Sequence, residues 1–207
     1  MKKAEKTQLM RGRILQGAIQ EIANSGYQGF RINQLCKTHS ISKGSLYHLF
    51  SNKDQLYLAC VEESFTKLFQ FLGVDWELIP SLSDYLQSRL RFYQAYPHHS
   101  QVFLEALLYK GSQVEKEIQR FRDEFDLFNQ AVARRLITEY KLKDGVTEEQ
   151  ALAYLDMIQK LFRTYYLTLQ EVDSELVNSQ IYEDHLQEIL GYMVFGIVDQ
   201  ESSLKDS

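Results

Sequence analysis

Apolar positions recur with a helical period along most of the 207-residue chain. Leu9, Ile14, Leu15, Ala18, Ile19 and Ile22 share one face of a first helix, and the pattern stops at Asn24-Ser25-Gly26, where glycine can adopt the left-handed helix-ending conformation. A short element follows from Ile32 to about Lys37. Ser42 is placed to cap a second short helix over Lys43 to Phe50, and Ser51-Asn52 to cap a long one from Lys53 to about Leu72. Three helices within about 40 residues, the last two short ones joined by a tight turn, form a helix-turn-helix arrangement.

The remainder reads as a loop from Gly73 to Pro80 and helices over about 82–96, 99–109, 113–140, 148–171 and 180–198. Pro97, Lys110-Gly111, Lys143-Asp144-Gly145 and a polar stretch around Asp173 to Ser179 separate them. Thr147 and Gln150 have capping-box spacing. Val114, Ile118, Phe121, Phe125, Phe128 and Val132 form an inward stripe, with Glu117, Arg120, Asp123 and Glu124 opposite. The penultimate helix carries two stripes: Ala151, Leu155, Ile158, Phe162, Tyr165 and Leu169, and beside it Tyr154, Met157 and Leu161. Positions 189–198 are apolar nearly all round. A terminal helix of that kind has few internal neighbours to cover it, so a second copy is expected. Leu155, Ile158, Phe162, Leu186, Ile189, Leu190, Met193 and Ile197 are the candidate homodimer contacts. The expected fold is all-α with about nine helices, divided at 1–52 and 53–207.

Composition excludes several classes. With 44% hydrophobic residues, two Pro and two Cys, the chain is neither disordered nor a disulfide scaffold. Cys36 and Cys60 are too few for a zinc cluster and suggest a reducing compartment; with no apolar leader or spanning segment, the cytoplasm is expected. The net charge of −5 argues against nucleic acid until it is divided. Residues 1–60 carry nine Lys/Arg against three acids, a net +6; the other 147 carry 14 against 25, a net −11. The chain is a basic head on an acidic body.

The head holds the most informative segment, Ile41-Ser42-Lys43-Gly44-Ser45-Leu46-Tyr47-His48-Leu49-Phe50-Ser51-Asn52-Lys53-Asp54-Gln55-Leu56. Lys43 lies in the first turn of the second short helix, where a recognition helix presents side chains to base edges. Gly44 leaves room for close approach, and Ser45, Tyr47, His48 and Lys53 offer donors to phosphate or base. Leu46 and Phe50, four apart, face the core. This segment resembles the DNA-binding signature of the TetR family of bacterial transcriptional regulators, and Arg13-Ile14-Leu15, Ala18 and Gly26-Tyr27 extend the likeness upstream. By analogy, Arg31 and Gln34 join Ser42 among the DNA-contact candidates. Four positions depart from the pattern: Leu49 replaces the usual His, His39-Ser40 the usual small residues of the turn, and Arg31 a capping Thr.

The resemblance implies a homodimeric regulator, most often a repressor, that binds a palindromic double-stranded DNA operator and is released by a small lipophilic effector. Trp76, Tyr93, Phe103, Glu105, Phe128 and Phe162 are candidates for the effector cavity, Glu105 because it interrupts the apolar run Val102 to Leu108. No cofactor, metal site or membrane partner is expected, and no phosphate loop, nucleophile elbow or zinc-protease motif points to an enzyme. A helical protein-interaction module is the alternative. It accounts for the apolar last helix but not for the basic Ser-Lys-Gly-Ser start.

Overall fold

A computed structural model of the chain describes residues 3–73, 81–111, 114–138, 140–172 and 178–197. Nine helices lie among them: α1 (Lys3–Gly29), α2 (Ile32–Thr38), α3 (Lys43–Leu49), α4 (Lys53–Leu72), α5 (Leu82–Ala95), α6 (Pro97–Leu108), α7 (Glu115–Ile137), α8 (Glu148–Val172) and α9 (Ser179–Ile197). The expected loop at 74–80 and polar stretch at 173–177 lie outside the described residues, as does Trp76. No helix among the described residues is long and apolar enough to cross a membrane.

Local chemistry explains the boundaries. Gly26 breaks α1 with φ 63° and ψ 170°, and one further turn follows, closed by Phe30 N–H donating to the Gly26 carbonyl at 2.9 Å. α6 begins two residues earlier than its apolar period indicates, because Pro97 suits the first helical position. The Thr147–Gln150 capping box forms reciprocally: Gln150 N–H donates to Thr147 Oγ1 at 3.2 Å and Thr147 N–H to Gln150 Oε1 at 2.9 Å.

The chain divides into two compact units. The first combines 1–68 with 96–121, and the second 69–95 with 122–207. In the first, α1 buries Ile14, Leu15, Ala18, Ile19 and Ile22 of its periodic face, while Leu9, the first member of that face, is exposed, and α1 packs along α6. Leu46 and Phe50 are buried as expected, each such side chain stabilising the fold by about 1.5–3 kcal/mol. Phe65 meets Phe103 and Phe121 at ring separations of 4.8 and 5.7 Å. Gly17 lets His39 lie close: a Cβ there would stand 2.8 Å from His39 Cγ, so the imidazole would have to shift.

In the second unit Ala151, Ile158 and Phe162 of α8 and Tyr182 and Leu186 of α9 are buried. Phe162 stacks edge-on against Tyr182 at 5.0 Å, and Tyr166 lies 4.8 Å from Tyr182. Three of the expected dimer contacts, Ile158 and Phe162 on α8 and Leu186 on α9, are among the residues buried within one chain, whereas Tyr165, four residues from Leu161, turns outward. The groups left outside are Met157, Leu161 and Tyr165 on α8 and Tyr192 on α9. Leu155 and Ile189 are half-buried; the side chains of Leu190, Met193 and Ile197 lie outside the described residues.

Candidate nucleic-acid interface

The site is built from the helix ends of the first unit. Ser42 caps α3: Ser45 N–H donates to its Oγ at 3.1 Å, while Ser42 O–H donates to Ser45 Oγ at 2.7 Å. The pair fixes the start of a seven-residue helix whose buried Leu46 anchors it from beneath. Lys43, Gly44, Tyr47 and His48 are exposed around that anchor, Tyr47 to 51%. A Cβ at Gly44 would meet nothing within 4 Å, so the open space lies outside the protein, where a ligand backbone could approach. Ser40 turns the chain between α2 and α3 with φ 52°.

The α4 start adds a second cation. Asn52 caps it, with Gln55 N–H donating to Asn52 Oδ1 at 2.8 Å, and Ser51 N–H donates to Gln55 Oε1 at 2.6 Å. Lys53 Nζ sits 4.4 Å from the centre of the Tyr27 ring. Burial lowers the Lys53 pKa, and the neighbouring positive charge of Arg31 lowers it further. Two cations held together in this way favour an added anion. Arg31 also donates to the carbonyls of Gln28 and Phe30, at 3.0 Å for the latter, and so ties down the end of α1. Gln34 is exposed and donates to Thr38 Oγ1 at 3.0 Å along α2.

Of the effector-cavity candidates, Phe103 and Glu105 belong to the first unit, and Tyr93, Phe128 and Phe162 to the second. None lines either of two described grooves. One of about 600 Å³ runs between α7 and α8 beside Asn129, Leu152 and Asp156; the other, about 630 Å³, lies in the first unit beside Arg11, Leu58 and Arg120. Among the described residues no three His, Cys, Asp or Glu side chains group as metal ligands.

Sequence reasoning missed the most buried charges. Arg89 on α5 donates through Nε and Nη2 to Glu183 on α9 at 2.7 and 3.0 Å, and through Nη1 to Tyr85 Oη at 3.3 Å. Tyr85 in turn donates to Asn129 Oδ1 at 2.6 Å. The signal was available: Arg89 falls in register with buried Tyr85, Leu86, Phe92 and Tyr93.

Residues 14–60 match the family model described as bacterial regulatory proteins, tetR family. The biofilm operon icaADBC HTH-type negative transcriptional regulator IcaR of Staphylococcus epidermidis is 33% identical over 63 residues, which are 30% of this chain and 34% of that protein. The chain thus matches about a third of that relative's length. A transcriptional regulator FadR from Bacillus subtilis in complex with stearoyl-CoA has a similar fold, with TM-score 0.62 at 13% identity over 86% of this chain and 96% of that one. So does a putative transcriptional regulator from Saccharomonospora viridis in complex with choline, with TM-score 0.66 at 15% identity over 92% and 98%.

Proposed function

We propose that this chain, a TetR-family protein by its residues 14–60, is a ligand-responsive DNA-binding transcriptional regulator, a repressor acting as a homodimer on a palindromic operator. The observation that carries the reading is the α3 surface. Lys43, Ser45, Tyr47 and His48 project from a short helix whose start is fixed by Ser42 and whose underside is fixed by Leu46. Such a helix can enter the major groove, with Lys43 reaching guanine acceptors or phosphate, while Lys53 and Arg31 neutralise the flanking backbone. The cytoplasm is the compartment in which it would meet its operator.

Dimerisation supplies the second half-site, at a spacing near 34 Å per DNA turn. The exposed apolar row Met157, Leu161 and Tyr165, at successive four-residue steps on α8, supports self-association there, with Tyr192 of α9 adding to it. A small lipophilic effector in the C-terminal part is supported by the stearoyl-CoA complex of the similarly folded FadR. Binding it would change the separation of the two recognition helices and release DNA. No catalytic role is assigned.

The test is selection of a 30-base-pair duplex from a random pool, followed by titration against salt. The protein should keep its preference for the selected duplex over random DNA as salt rises. Lys43→Ala, an exposed change that leaves the fold intact, should weaken binding by about 1–3 kcal/mol if Lys43 reads a base. Equal affinity for selected and random duplexes would refute the reading.

A further inference from the structure

Tyr27 joins the end of α1 to the first turn of α4. Its ring lies under Lys53, its hydroxyl donates to Asp54 Oδ1 at 2.6 Å, and it follows directly on the Gly26 break. Both bonded neighbours belong to the first turn of α4. Three residues beyond the joint, Phe30 and then Arg31 lead into α2. What holds the joint from behind is Glu105 of α6, whose Oε1 accepts the Tyr27 backbone N–H at 2.5 Å across 78 residues of sequence. The same oxygen lies 3.1 Å from where a Cβ on Gly26 would stand, so a side chain there would push on Glu105 as well as strain the backbone at φ 63°. Glu105 Oε2 is buried with no hydrogen-bond partner.

We propose that Glu105 is a positioning residue for DNA recognition: its buried carboxyl group accepts the Tyr27 amide and so positions Tyr27, Lys53 and Arg31, and protonation favours keeping that carboxyl in its buried seat even though the Tyr27 N–H by itself binds the ionised form better. The proposal rests on the reading of the chain as a DNA-binding regulator.

An unpartnered buried oxygen is costly on a charged group and much less so on a neutral one. Burial accordingly pushes Glu105 up to about 7 from its ordinary 4.5, against the opposing pulls of the Tyr27 N–H and Lys53. The group therefore binds its proton more tightly in its seat than when hydrated. Acid favours the seated joint, which loses ground as pH rises from the ordinary carboxylate range and has lost its full share above about 7. The charged and titratable groups around the seat are Tyr27 on α1, Arg31 before α2, Lys53, Asp54 and Tyr57 on α4, and Tyr109 just past α6. Burial holds Tyr27 and Tyr109 above their usual range, so neither ionises in this window.

The experiment compares wild type with Glu105→Gln and Glu105→Ala, using the duplex selected by the wild-type protein, from pH 5.5 to 8. Glutamine keeps an acceptor for the Tyr27 amide without the charge. The ratio of wild-type to Glu105→Gln Kd should fall at least fivefold from pH 8 to pH 5.5, a comparison in which shared histidine titrations cancel. Glu105→Ala should bind weakly throughout. A purely structural residue would give a ratio that does not move with pH, and a constant ratio overturns the proposal. The Tyr27 amide resonance supplies a readout independent of DNA: it should shift between pH 5.5 and 8 in wild type and stay fixed in Glu105→Gln. If no duplex is preferred over random DNA, the regulator reading fails, and an invariant Tyr27 amide would separately refute the hold.

Discussion

Ser40 shows how one residue's backbone sets the geometry of the reading head. Its φ of 52° places a side-chain-bearing residue in the left-handed region, in the turn that orients α3 against α2. That conformation costs a non-glycine residue about 1–2 kcal/mol, of which replacement by glycine returns part to unfolded-chain entropy. Ser40→Gly should therefore raise stability by about 0.5–1 kcal/mol, measured by thermal or urea unfolding, with the selected-duplex Kd unchanged. Sequence alone identified Ser40 as the departure from the usual small turn residue but could not supply its φ. Arg31 illustrates the same boundary. Its charge and position were legible, while its bonds to the Gln28 and Phe30 carbonyls depend on where α1 ends.

Among the elements, α5 and α9 are joined by a pair of charges where their periods call for hydrocarbon. Arg89 and Glu183 are 4% and 0% exposed, and Arg89 also lies 5.4 Å from the centre of the Phe125 ring. Arg89→Met would leave Glu183 buried without its partner and should destabilise the fold by about 3–5 kcal/mol; Arg89→Met with Glu183→Leu should recover most of that loss. Urea denaturation at one fixed protein concentration reads both, and equal losses in the single and double variants would contradict the account. The helices themselves were plain from the 3.6-residue period, because each needs only its own sequence. Which of two adjacent stripes faces inward was not. On α8 the Ile158–Phe162 stripe and the Met157–Leu161 stripe are both apolar, and only the presence of Tyr182 and Leu186 decides between them. Glu105 stood out as the acid within the apolar run Val102 to Leu108, but its partner Tyr27 is 78 residues away, beyond the reach of any local pattern.

For the whole molecule, the proposed pairing through the exposed α8 row predicts that Met157→Glu with Leu161→Glu produces a monomer. Sedimentation should show half the wild-type mass, and affinity for a palindromic duplex should drop sharply because only one half-site is engaged at a time. A dimer that survives both charges would place the interface elsewhere. The charge division acts at the same scale. On the proposed DNA-binding reading, the +6 carried by residues 1–60 and the −11 carried by the rest would favour approach to the duplex through residues 1–60.

The compact units also bear on how such a protein can change over time. The first unit is not a continuous stretch: α6 belongs to it but follows α5, which belongs to the other. Recombination that exchanged only the first 60 residues with a relative would bring in a foreign α1 and Tyr27 against the resident α6 and Glu105. A transplanted N-terminal segment would keep the Tyr27–Glu105 contact only if a matching α6 came with it, despite the gap between the two in sequence.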